Sequence, residues 1–182
     1  MTCATTPAEE QRYAQLQFEA LECARCGDRD DLLAVMLRAG MAVNLADHKG
    51  NTLLMLAAYH ANEETVALLL ASGAEPDRRN ARGQTPLGGV AFKGYVKIAS
   101  RLLDAGADIN ADQGGGMTPL MYARMFGRTD IARLLQGRGA GRGLGLWRIL
   151  APALGMAIRA VRAILDQRWL PCANPESRTS PL

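Results

Sequence analysis

Gly83-Gln84-Thr85-Pro86-Leu87 returns 33 residues later as Gly116-Met117-Thr118-Pro119-Leu120, and its Gly, Thr and Leu stand 33 residues earlier as Gly50, Thr52 and Leu54. Working outward, Leu69, Leu102 and Leu135 keep the same step, and Gly40, Gly73, Gly106 and Gly139 carry it to a fourth unit. One such pair could be coincidence; parallel ladders at a single period mark an array of repeated supersecondary units.

Each unit can be read physically. A Gly-containing turn, Asp47-His48-Lys49-Gly50 or Asn80-Ala81-Arg82-Gly83, reverses the chain. Thr52, Thr85 or Thr118 then offers a hydroxyl as helix N-cap, with Pro86 and Pro119 at the first helical position, where no amide hydrogen is missed. A short Ala-rich helix follows, as in Leu56-Ala57-Ala58, and Gly94 or Gly127 turns the chain again. A second helix carries Leu69-Leu70 or Leu102-Leu103 and stops at Gly73, Gly106 or Gly139. One unit is too thin to cover its own apolar face, so several must stack.

These segments, with Leu102-Leu103-Asp104-Ala105-Gly106-Ala107-Asp108-Ile109-Asn110, resemble the ankyrin repeat over roughly residues 46–140. The wording is also similar to small single-domain bacterial ankyrin proteins. The resemblance implies an all-α solenoid of helix-turn-helix repeats with projecting β-hairpin-like turns. It divides the chain into a flexible N-terminus (1–12), a degenerate capping repeat (13–45) and regular repeats at 46–78, 79–111 and 112–140. The capping repeat holds one extra residue between Gly27 and Gly40. Where the family's TPLH motif has histidine, this chain has Met55, Gly88 and Met121, so the array is expected to lose polar stitching. Gly88-Gly89 opens a helix with two weak formers, each costing about 1 kcal/mol relative to Ala. Arg124 replaces an alanine in register with Ala58 and Ala91, and either reaches solvent or is ion-paired inside the stack.

The resemblance implies that a partner sits on the turn tips and the exposed side of each first helix. Carried over in register, the tips read His48, Ala81, Gly114, then Lys49, Arg82, Gly115, then Asn51, Gln84, Met117. The helix rows read Tyr59, Phe92, Met125, then His60, Lys93, Phe126, with Arg25 and Cys26 in the capping repeat. Tyr59, Phe92, Met125 and Phe126 form an apolar strip with Lys49, Arg82 and Lys93 beside it and no acid in the rows. Aromatic and Met side chains are enriched at interface centres. The expected partner is a protein segment with an apolar ridge and acidic flanks. The alternative is that Phe92 and Met125 pack on neighbouring repeats.

Composition narrows the function further. Residues 1–142 carry 16 basic and 16 acidic side chains, and 143–182 carry 5 against 2, so the net +3 belongs to the tail. The repeats therefore give no reason to expect nucleic acid. The lone Cys23-Ala-Arg-Cys26 lacks a second ligand pair for zinc, and no phosphate loop, nucleophile elbow or paired-carboxylate motif occurs. The reading is a non-enzymatic, cofactor-free monomer. With no secretory signal at the start and four irregular cysteines, it is placed in the cytoplasm, and its Arg-rich, Ala/Gly-rich composition suits a bacterial genome.

Beyond the repeats, a Gly-rich connector (141–152) leads to an amphipathic basic helix (153–170) and a disordered tail (171–182). Leu154, Ile158, Val161, Leu165 and Trp169 share one helical face. That helix is open to three roles: a cap on the last repeat, attachment to an anionic membrane surface, or a loosely ordered partner-binding extension.

Overall fold

A computed structural model describes residues 7–27 and 29–141; the connector from residue 142, the helix expected over 153–170 and the tail lie outside the described residues. The described chain forms eight helices: α1 (Pro7–Cys26), α2 (Asp30–Arg38), α3 (Leu53–Tyr59), α4 (Glu63–Ala71), α5 (Pro86–Lys93), α6 (Val96–Asp104), α7 (Pro119–Met125) and α8 (Thr129–Gly137). Among the described residues the β-structure is a single bridge, Ala46 to Thr52. Helices α1, α3, α5 and α7 pack side by side in one row, and α2, α4, α6 and α8 form a second row behind them. The fold is the repeat solenoid.

The caps follow the sequence. Thr52, Thr85 and Thr118 accept the amides of Met55, Gly88 and Met121 at 3.2, 3.3 and 3.3 Å. At the far end of each repeat the chain leaves by a left-handed glycine. Gly73, at φ 85°, donates to Leu70 O, and Ala74 behind it donates to Leu69 O, which satisfies two otherwise orphaned carbonyls. The Leu ladders fill the centre: Leu54, Leu87, Leu120, Leu69, Leu102 and Leu135 are at most 1% exposed. Each buried leucine contributes about 1.5–3 kcal/mol, so the core rests on small gains repeated in register.

The cap repeat departs from expectation. Helix α1 starts at Pro7, so residues 7–12 are helical rather than part of a flexible terminus. Proline suits the first turn, Glu9 and Glu10 favour the positive helix end, and no breaker follows before Gly27. In this cap, Asp30 accepts the hydroxyl of Thr65, a fully buried polar residue at a position where later repeats have Ile98 and Ile131.

Polar stitching between repeats survives by other means. Gln113 Oε1 accepts the Thr85 amide at 2.8 Å; its Nε2 donates to Thr85 Oγ1 at 2.8 Å and to Ala111 O at 3.0 Å. Asn44, Asp77 and Asn110, spaced by 33, each accept a backbone amide 31 residues ahead, from Glu75, Asp108 and Gly141. Asn62 Nδ2 donates to Ala24 O and Arg25 O, both at 2.9 Å, and Arg128 Nε to Phe92 O at 3.0 Å. Asn62 and Arg128 occupy the same repeat position, so both ends of the array fasten a second helix to the preceding first helix alike.

Candidate protein-docking face

The matching register of α1, α3, α5 and α7 brings their C-terminal ends together on one side of the array. Tyr59 ends α3, Phe92 and Lys93 end α5, Met125 ends α7, and Phe126 caps it. All five are half-buried, as is His60, which caps α3. Phe92 and Phe126 meet edge to face at 4.4 Å between ring centroids, across the seam between the third and fourth repeats. Such pairs contribute about 0.5–1.5 kcal/mol beyond area burial. Tyr122, one turn before Phe126, adds a third ring at 6.3 Å. Its position in the sequence gives no hint of this, because the rows implied by the resemblance leave it out.

Lys93 Nζ lies 4.4 Å from the Tyr59 centroid and 6.0 Å from that of Phe92, inside the apolar strip rather than on its rim. A cation at this range over a ring gains about 0.5–1 kcal/mol. It also sits in the last turn of α5, where the helix dipole favours positive charge. His60 is packed beside Tyr59, with ring centroids 5.7 Å apart. Burial holds its imidazole below the usual histidine range; the charges of Arg25 and Lys93 add to that, against Glu22.

Arg25 closes the row at the N-terminal end and is already engaged. It pairs with Glu22 within α1 and stands 3.7 Å from Asp47 Oδ2. Burial pushes the Asp47 carboxyl upward, but hydrogen bonds from the Asn51 side chain and the Asn51 and Lys49 amides outweigh it, with His48 nearby, and the net displacement is downward. His48, Lys49 and Arg82 are exposed on the turns. The tips stack, with Ala81 donating to Lys49 O at 2.9 Å. Arg124 is exposed, which settles its alternatives in favour of solvent.

The profile of the ankyrin repeat, in three copies, matches residues 20–113 and, in an overlapping placement, 54–141. The chain belongs to the ankyrin repeat family. Ankyrin repeats are in general protein–protein interaction modules. A Pseudomonas aeruginosa ankyrin repeat protein is 42% identical over 66 residues, 36% of this chain and 38% of that relative, so the chain spans well under half of the relative's length in this match. Among the described residues no helix is long and apolar enough to cross a membrane, and no group of three or more His, Cys, Asp or Glu could hold a metal ion. Cys23 is buried in α1.

Proposed function

We propose that this ankyrin array is a non-catalytic, cofactor-free recognition module that binds a partner protein through the face made by Tyr59, Phe92, Lys93, Met125 and Phe126, with His60 beside it and His48, Lys49 and Arg82 on the tips. What carries this reading is the row of half-buried aromatic and sulfur side chains at the ends of the first helices, outside the Leu ladders that hold the fold. Large rings with part of their area in water, next to a cation, favour an apolar segment that also bears acidic groups. The module acts as a monomer in the bacterial cytoplasm and takes no nucleic acid, consistent with the balanced charge of residues 1–142.

A photo-crosslinking side chain at Met125, compared with one at the exposed Arg101 on α6, tests the face. A partner protein should be captured at Met125 and lost when Phe92 and Phe126 are replaced by Ala in the folded protein. Equal capture at both positions sinks the reading. A second reading rests on the amphipathic pattern of 153–170: the tail attaches the protein to an anionic membrane while the repeats dock a client. Co-sedimentation with anionic vesicles that is the same for the full chain and for a chain ending at Ala140 removes it.

A further inference from the structure

The turn tips differ in how their charge is balanced. Asp47-His48-Lys49-Gly50 of the second repeat is in register with Asn80-Ala81-Arg82-Gly83 of the third and Gln113-Gly114-Gly115-Gly116 of the fourth. In the second repeat the Asp47 carboxylate closes the turn by accepting the amides of Lys49 and Asn51 at 2.8 and 2.9 Å, so the Lys49 cation shares its turn with an anion. In the third, Asn80 Oδ1 accepts the equivalent amides of Arg82 and Gln84 at 2.9 and 3.0 Å and brings no charge. Asp112, entering the fourth tip, gives its Oδ1 to the Gly114 amide at 3.1 Å. Arg82 is exposed, and among the described residues its guanidinium has neither an ion pair nor a hydrogen bond. Lys49 and Lys93, by contrast, already have interactions within the chain.

We propose that Arg82 is the acid-reading residue of the face: a partner segment crosses the third repeat with a carboxylate on the Arg82 guanidinium and a large apolar side chain at the Phe92–Phe126 seam. This rests on the docking reading above and adds which cation is used and how far the acid lies from the apolar group. The guanidinium fork matches a carboxylate with two parallel donors. The surface between tip and seam is low. Gly89, one turn before Phe92 on the same side of α5, is half-buried and has no side chain, where Leu56 and Tyr122 stand in the neighbouring repeats; a Cβ there would meet Tyr59 Cδ2 at 3.6 Å. At the far end the Phe92 and Phe126 rings stand 4.4 Å apart, with Tyr122 beside them. From the Thr85 cap to Phe92 the helix rises about 10 Å, at about 1.5 Å per residue. An extended segment covers that, with the turn, in about three to five residues, which sets the spacing of acid and apolar group.

The test uses the full chain and blocked, fluorescein-labelled peptides followed by anisotropy at low ionic strength. Glu-Glu-Gly-Ser-Gly-Leu-Phe spaces the acids from the apolar pair. Its isomer Gly-Ser-Gly-Glu-Glu-Leu-Phe sets them side by side, and Gln-Gln-Gly-Ser-Gly-Leu-Phe lacks the charge. The spaced acidic peptide should bind about two- to five-fold tighter than either of the others, the range of an exposed ion pair. Arg82→Gln should abolish that advantage and leave the uncharged peptide's binding as it was. Arg101→Gln, which removes an exposed cation of α6, should preserve it. The proposal fails if the spaced acidic peptide does not bind, if it binds no tighter than the other two, or if the two arginine variants behave alike. Partner capture at Met125 without any preference for the spaced acid would retain the docking reading and remove this one.

Discussion

Gln113 of the fourth repeat fills the space above Gly88 of the third: a Cβ built on Gly88 would stand 1.8 Å from Gln113 Oε1 and 2.3 Å from its Cδ. The glycine that looks like a weak point in α5 is the condition for a buried amide, 2% exposed, to reach the Thr85 cap. Where the family pattern has a histidine bonding from within the motif, this chain leaves a gap and fills it from the next repeat.

Helix propensity alone says that Gly88→Ala should stabilise by about 1 kcal/mol. The packing says the reverse. The amide is held by three hydrogen bonds and cannot retreat without leaving buried polar atoms unsatisfied, which costs about 1–3 kcal/mol. Gly88→Ala should therefore destabilise, while Gly89→Ala, whose Cβ meets Tyr59 Cδ2 at an ordinary 3.6 Å, should be neutral or stabilising. Urea unfolding of both variants checks the contrast. Adding Gln113→Ala to Gly88→Ala should cost much less than the sum of the two singles.

How much of this was legible depends on the range of each interaction. The threonine caps, the prolines and the left-handed glycines act within a few residues, and the Leu ladders repeat, so the sequence displays them directly. Gln113 did not show itself. It occupies the turn position of Asp47 and Asn80, but one further methylene lets it dip into the stack toward a residue 28 positions back. Asn62 and Arg128 share a repeat position with Tyr95, yet have no common chemistry that a periodic pattern could register. For the face, the rows place these residues at the ends of the first helices, but the lean of their side chains is invisible in the sequence. Lys93 turns inward over Tyr59, and Phe126 leans across to Phe92.

Asn62 offers a second check on long-range stitching. Its amide donates to the last carbonyls of α1, which the helix itself leaves unsatisfied. Removing two such bonds should cost about 1–3 kcal/mol. Asn62→Ala is expected to lower stability by that amount and to speed hydrogen exchange in α1 and α2 more than in α7 and α8. Uniform loss of protection across all repeats would contradict a local role.

His60 makes a pH-dependent contribution whose sign follows from its environment. Its folded pKa lies below the reference 6.5 because burial and two nearby cations oppose the charged form. Above 6.5 the imidazole is neutral in both folded and unfolded chains, and the residue imposes no ionisation cost. As pH falls below 6.5 the unfolded chain takes up a proton first, so stability declines until the folded pKa is passed. His60→Gln should flatten that decline between pH 7 and 5.

The face and the core are separable through Phe126. Its ring is half-buried and touches Phe92 and Tyr122, whereas Leu120 on the same helix is 1% exposed. Truncating a fully buried leucine leaves a cavity and costs about 2–5 kcal/mol. Truncating a ring that already faces water on one side forfeits its edge-to-face pair and part of its area, about 1–2 kcal/mol. Phe126→Ala should therefore keep the far-UV helical signal at 25 °C, with a small fall in the urea midpoint, and Leu120→Ala a large one. Partner capture should respond in the opposite order at temperatures where both variants are folded, falling more for Phe126→Ala. If Phe126→Ala were as destabilising as Leu120→Ala, the ring would be holding repeats together, and the half-buried strip would lose the residue that joins its third and fourth repeats.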